Sequence, residues 1–93
     1  MEIKNNVFSR QFETQFDQKI IAVEYSLQEK KIFLTKITPD NFADEDYISE
    51  FLKQIMEFAY ENKHKVVPVL PKIAVFFKKN PVYKDLLPPG IKI

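Results

Sequence analysis

From Gln11 the chain alternates, with Phe12, Thr14 and Phe16 on one side and Gln11, Glu13 and Gln15 on the other, the period of a half-buried strand. Asp17-Gln18-Lys19 reads as a turn, and Ile20 to Ser26 as the next strand, with Ile21, Val23 and Tyr25 on its apolar side. Gln28-Glu29-Lys30 turns the chain again into Lys31 to Ile37. Strands joined by such short turns form an antiparallel meander. Ahead of them, Ile3 to Phe8 is mixed in character and reads as a short edge strand or an arm.

After Pro39 the period becomes helical. Ile48, Phe51, Leu52, Ile55, Phe58 and Ala59 recur at three- and four-residue steps, with Lys53, Gln54, Glu57 and Glu61 on the outer face, which predicts a helix from about Asp44 to Asn62. Val66 and Val67 then read as a strand that Pro68 ends, because proline cannot donate to a ladder. Pro71 suits a first helical turn, Ile73, Ala74, Phe76 and Phe77 follow, and Pro81 stops the helix after Asn80. The long helix returns the chain across the sheet, so the Val66 strand joins it. The fold class is α+β: a small, mostly antiparallel sheet, one long helix packed across it and a short second helix, in the order β-β-β-α-β-α.

Composition narrows the function classes. At 93 residues the chain forms a single domain that buries roughly 60% of its unfolded surface. Fourteen basic against thirteen acidic residues give a net charge of +1, so no global field points to nucleic acid or to a membrane. Cysteine is absent, which excludes disulfides, thiolate metal sites and a cysteine nucleophile. Met1 opens onto Glu2-Ile3-Lys4-Asn5 without an apolar leader, so the expected location is cytoplasmic. Asp40, Asp44, Glu45 and Asp46 lack the D-x-D-x-D-G order of a calcium loop, and no metal is expected.

Val66 to Lys72, reading V-V-P-V-L-P-K, and Asn80 to Leu87, reading N-P-V-Y-K-D-L-L, carry a resemblance. They are similar to V-x-P-x-C-P-F, a helix, and N/H-P-x-Y/W-x-D-L-L of the short, single-domain GNAT-like acetyltransferases. The resemblance covers roughly Phe12 to Leu87 and is strongest over 65–87; residues 1–93 form one GNAT-like domain with 88–93 as an extra tail. That tail, ending in Ile91 and Ile93, either covers apolar surface, frays, or adds a strand to a neighbouring sheet edge. The resemblance implies acetyl-CoA as cofactor and N-acyl transfer as activity.

In that family a His-Thr pair and a P-x-x-L-x-G-K-G-x-G/A run precede the long helix, and backbone amides there receive the pyrophosphate of coenzyme A. Here Lys36-Ile37 stands over His-Thr, and Asp44, Glu45 and Asp46 stand over G-K-G. Leu70 occupies the family's cysteine position and Lys72 that of its aromatic residue. The cleft positions implied by the resemblance are Leu34, Thr35, Asp44, Glu45, Asp46 and Tyr47.

Physical chemistry says what these departures mean. Carboxylates in a first helical turn stabilise it by roughly 0.3–1 kcal/mol each, doing internally what a bound phosphate would do. Against a pyrophosphate at about 4 Å each would repel by roughly 1–4 kcal/mol. Leucine excludes a covalent acyl-cysteine, while direct attack by an amine needs only positioning and a base. His64, the single histidine, reads as a solvated loop residue. Tyr25, Tyr47, Tyr60 and Tyr83 read as core-edge residues, Lys78-Lys79 as a solvated helix face, and Leu86-Leu87 as closing the core.

Two readings result. One is a GNAT-like acyltransferase whose activity and coenzyme A binding are impaired or lost. The other is a non-catalytic module that uses the scaffold for a protein partner, with its cleft filled by Tyr47 or Lys36.

Overall fold

The computed structural model describes residues 1–91 and 93. The elements are β1 (Lys4–Asn6), β2 (Gln11–Phe16), β3 (Lys19–Gln28), β4 (Lys31–Thr38), α1 (Glu45–Glu61), β5 (Lys65–Pro68), α2 (Pro71–Lys79) and a 3-10 segment (Pro81–Leu86). Among the described residues the strands form one five-stranded sheet in the order β1-β2-β3-β4-β5. All neighbours are antiparallel except β4 and β5, which run parallel because α1 carries the chain back between them. The mixed segment after Ile3 resolves as β1, an edge strand that places Asn5 opposite Phe12. The β-β-β-α-β-α plan therefore gains one strand at its front.

Strand alternation puts Phe12, Ile21, Val23, Tyr25, Ile32, Leu34 and Val66 into the core, and Ile37 joins them past a break in the alternation of β4. Phe51, Leu52, Ile55, Met56 and Ala59 of α1 and Ile73, Phe76 and Phe77 of α2 complete it. Phe33 and Val67 lie outside that cluster, as does Ala22, since their register turns them to the other face of the sheet.

The two-residue turns of the β2–β3 and β3–β4 hairpins use left-handed backbone without glycine. Asp17 and Gln18 sit at φ 50° and 67°, Glu29 and Lys30 at 51° and 66°, the geometry of a turn that suits the twist of the strands. β3 therefore runs two residues past Ser26. A side chain in this region costs about 1 kcal/mol, which glycine avoids. Gln18→Gly, giving Asp-Gly at the turn, is expected to raise the melting temperature by about 4–8 °C in thermal unfolding.

The chain does not become irregular at Pro81. It continues as a 3-10 segment that places Tyr83 on Phe76, with ring centroids 5.7 Å apart and planes 23° apart, and buries Leu86. Tyr60 Oη of α1 donates to Asp85 Oδ1, and Lys65 Nζ donates to the Asp85 carbonyl at 2.8 Å. Ile93 packs back on the core, with its carbonyl 3.3 Å from Lys84 Nζ, so the tail covers apolar surface of its own chain.

Burial, followed by the Asp85 hydrogen bond, pushes the Tyr60 phenol well above its ordinary value. The folded state thus holds this proton more tightly than the unfolded chain. The contribution is complete below the unfolded pKa of about 10 and fades as pH rises above it. Denaturant titrations from neutral pH to beyond pH 10 are expected to show that alkaline loss, and Tyr60→Phe is expected to remove it.

Candidate functional site

The parallel pairing of β4 and β5 ends at Leu34 opposite Pro68. At the same level β4 bulges: Leu34 faces Tyr25, Lys36 faces Glu24, and Thr35 is the extra residue, its Oγ1 donating to the Glu24 carbonyl at 3.3 Å. Proline at the end of β5 and the bulge in β4 together part the two strands. β4 continues to Thr38 alongside β3 alone, while β5 leads through Val69 and Leu70 into α2.

A groove of ≈ 380 Å³ opens where they diverge, between the first half of α1 and α2. Ile37, Leu52 and Phe76 are its buried apolar residues, with Phe42, Ile48 and Val75 nearer the surface. Glu45, Asp46 and Ser49 of α1 and Lys72, Lys79 and Asn80 of α2 supply the polar groups. Its volume falls in the range of small-molecule sites.

The α1 end of the groove is built from its own carboxylates. Asp44 is the N-cap, with extended backbone, and its Oδ1 accepts from the Tyr47 amide at 3.0 Å. Glu45 and Asp46 occupy the first turn, where the helix dipole favours negative charge. Among the described residues the one ion pair is Lys53 with Glu50, at 3.4 Å, so neither Glu45 nor Asp46 is neutralised by a lysine. Lys72 instead donates to the Asp40 carbonyl at 2.9 Å, tying the start of α2 to the β4–α1 loop.

The residues singled out from the sequence separate in space. Glu45 and Asp46 line the groove. Leu34 is fully buried in the core, and Thr35 is exposed at the bulge. Tyr47 turns to β2: its hydroxyl donates to the Gln15 carbonyl and lies 3.1 Å from Thr14 Oγ1, while its ring packs 4.5 Å from Phe16. Lys36 is exposed on the sheet face away from the helices, opposite Glu24. Neither Tyr47 nor Lys36 fills the groove, which stays open. Leu70 is half-buried against the core and caps α2 through its carbonyl, which accepts from Ile73 and Ala74 at 3.0 and 3.1 Å.

His64 departs from the solvated surface reading. Its ring is half-buried, 6.3 Å from that of Phe58, and its Nδ1 is buried without a hydrogen-bond partner. It sits at the α1–β5 connection, at the other end of the sheet from the groove. Lys79 does face the groove, whereas Lys78 does not line it.

Of the cleft positions read from the sequence only Glu45 and Asp46 line the groove, and its other lining residues, Phe42, Ser49, Val75 and Phe76 among them, were passed over as site residues. Val75 carried a signal, being an apolar side chain between the buried positions of α2 and 45% exposed. Phe42 carried none, because an aromatic residue in a loop has no period to betray its direction.

No group of histidine, cysteine or acidic side chains among the described residues is arranged to hold a metal ion. No described helix is long and apolar enough to cross a membrane. The chain matches no known protein-family profile, and no curated protein matches it significantly.

Proposed function

We propose that this chain is a GNAT-like domain that no longer supports coenzyme A binding or N-acyl transfer and serves as a non-catalytic binding module through the groove between α1 and α2. The observation that carries this reading is the start of α1. Asp44 already caps an amide of the kind that would receive a pyrophosphate, and Glu45 and Asp46 project negative charge at the same place. An anion brought there meets repulsion and an occupied donor.

The second half of the site supports the same reading. Leu70 offers no nucleophile or proton-transfer group, and its side chain belongs to the core. Tyr47, a cleft position by the resemblance, is committed to β2. The groove itself is open and apolar-floored, which suits a ligand held by burial.

One observation favours the alternative, an acetyl-CoA-dependent N-acyltransferase. Past the bulge at Thr35, β4 has no β5 partner and its Ile37 lines the groove, so strand edge is left unpaired on that side, as an extended thioester arm would require. Thiol release from acetyl-CoA, followed with a mixture of primary amines as acceptors, separates the two. A rate equal to that without protein supports the module, and a protein-dependent rate abolished by filling the groove with Val75→Trp supports the enzyme.

A further inference from the structure

Beside the groove the main chain of β4 carries hydrogen-bonding groups with no partner. From Lys31 to Leu34 the strand is paired on both sides, with β3 on one and with Lys65, Val66, Val67 and Pro68 of β5 on the other. From Lys36 to Thr38 it is paired with β3 alone. Among the described residues no other group hydrogen-bonds to the main chain of this stretch; Lys72 and the Phe42 amide bond to the carbonyls of Asp40 and Pro39, beyond its end. Thr35, Lys36 and Thr38 are exposed, so the edge is open to water. An uncovered strand edge of this kind is a template for a further strand.

The surroundings narrow what can pair there. Along a strand the spare amides and carbonyls recur at every second residue, about 7 Å apart, and successive side chains turn to opposite faces. Ile37 turns to the helices and forms the groove floor with Leu52 and Phe76, while Phe42, Ile48 and Val75 flank it. A strand laid along the edge therefore directs alternate side chains into the groove, where ≈ 380 Å³ receives a large apolar one. The two walls differ in sign, with Glu45 and Asp46 on α1 and Lys72 and Lys79 on α2. They balance, so a chain carrying both signs meets both walls, whereas a nucleic acid faces carboxylates on one of them. An acyl chain would fill the floor and leave the strand edge unpaired.

From the unpaired edge of β4, which continues the β4–β5 ladder directly beside an apolar groove, we infer that the ligand of this site is an extended peptide segment of a partner protein. The segment adds to β4 as a strand in the place that β5 leaves at Pro68, and it seats one large apolar side chain between α1 and α2. The residues two before and two after that side chain share its face and meet the charged walls. The intervening residues lie on the open face beside Lys36 and Thr38. The inference rests on the reading of the groove as a binding site and names the class of ligand that it takes.

Amide-detected NMR titration of the full chain with the blocked peptide Lys-Thr-Leu-Thr-Glu, acetylated and amidated at its ends, tests this. Saturable shifts are expected at the amides of Lys36, Ile37 and Thr38. An isomer N-methylated at the central residues keeps the side chains and loses the donors, and it is expected to bind at least about tenfold more weakly. Val75→Trp, which fills the groove, is expected to abolish the shifts. Equal binding of the N-methylated isomer overturns strand addition and leaves the groove standing as an apolar site. Absence of shifts at these amides with either peptide at millimolar concentration also overturns the inference. Coenzyme A shifting the same amides in a parallel titration overturns the underlying reading of the groove instead.

Discussion

An Asp44→Gly/Glu45→Lys/Asp46→Gly variant is expected to gain at least about 100-fold in affinity for coenzyme A, bringing it into the micromolar range, while losing stability. The gain follows from electrostatics at one helix terminus. Removing three carboxylates and adding an ammonium reverses the charge at the end of α1, and each carboxylate within about 4 Å of a pyrophosphate costs roughly 1–4 kcal/mol. Glycine at 44 and 46 also lets backbone amides approach the phosphates, and it frees the Tyr47 amide now bonded to Asp44. The loss has the same source. Without the cap and the first-turn acids, and with glycine inside the helix, α1 is expected to lose about 2–3 kcal/mol, read as a fall in melting temperature of roughly 10–20 °C. Affinity and stability are thus expected to move in opposite directions, which a merely damaged protein would not show.

The largest effect on stability is expected from Phe51→Ala. Phe51 is fully buried near the middle of α1 and belongs to the cluster that joins the sheet to both helices. Deleting a buried phenyl ring costs about 3–5 kcal/mol, part transfer and part cavity. A domain of this size has only about 5–14 kcal/mol in total. A drop in melting temperature of at least about 12 °C is therefore expected, with a correspondingly lower denaturant midpoint and an unchanged slope. Val82→Ala, at a 75% exposed position of the 3-10 segment, is the matched control and is expected to move the midpoint little.

The amino-acid sequence reveals both of these sites, by different signals. Phe51 and its companions were legible because period alone places them: a stripe at three- and four-residue steps must face the core, and Phe12, Ile21, Val23 and Tyr25 follow from alternation. Prolines 68, 71 and 81 punctuated the second half of the fold, since each removes an amide donor at a known place. Asp44 as N-cap and Glu45 and Asp46 as first-turn acids were equally readable, because local chemistry decides them.

What escaped was set by contacts between distant segments. Three residues with little alternation leave β1 open between an edge strand and an arm, and pairing with the edge of β2 decides for the strand. The bulge at Thr35 leaves no mark in the sequence but decides which side of β4 each later residue faces; it sends Lys36 to the open face and Ile37 to the groove. Tyr47 sits one position past the first-turn acids, yet the hydroxyls and carbonyls of β2 draw it away from the groove. His64 looks polar in its loop, and Phe58 gives it a half-buried berth that no local pattern announces.

On the proposed reading α1 begins with its own anions and the groove does not hold coenzyme A. Isothermal titration of the unmodified protein with coenzyme A and with acetyl-CoA at low ionic strength measures this most directly, because screening is least there and any attraction is greatest. The expected result is no saturable heat, corresponding to a Kd weaker than about 1 mM. A Kd in the low micromolar range for the unmodified protein would mean that the acidic start of α1 tolerates the cofactor, and would return the groove to the acyltransferase reading.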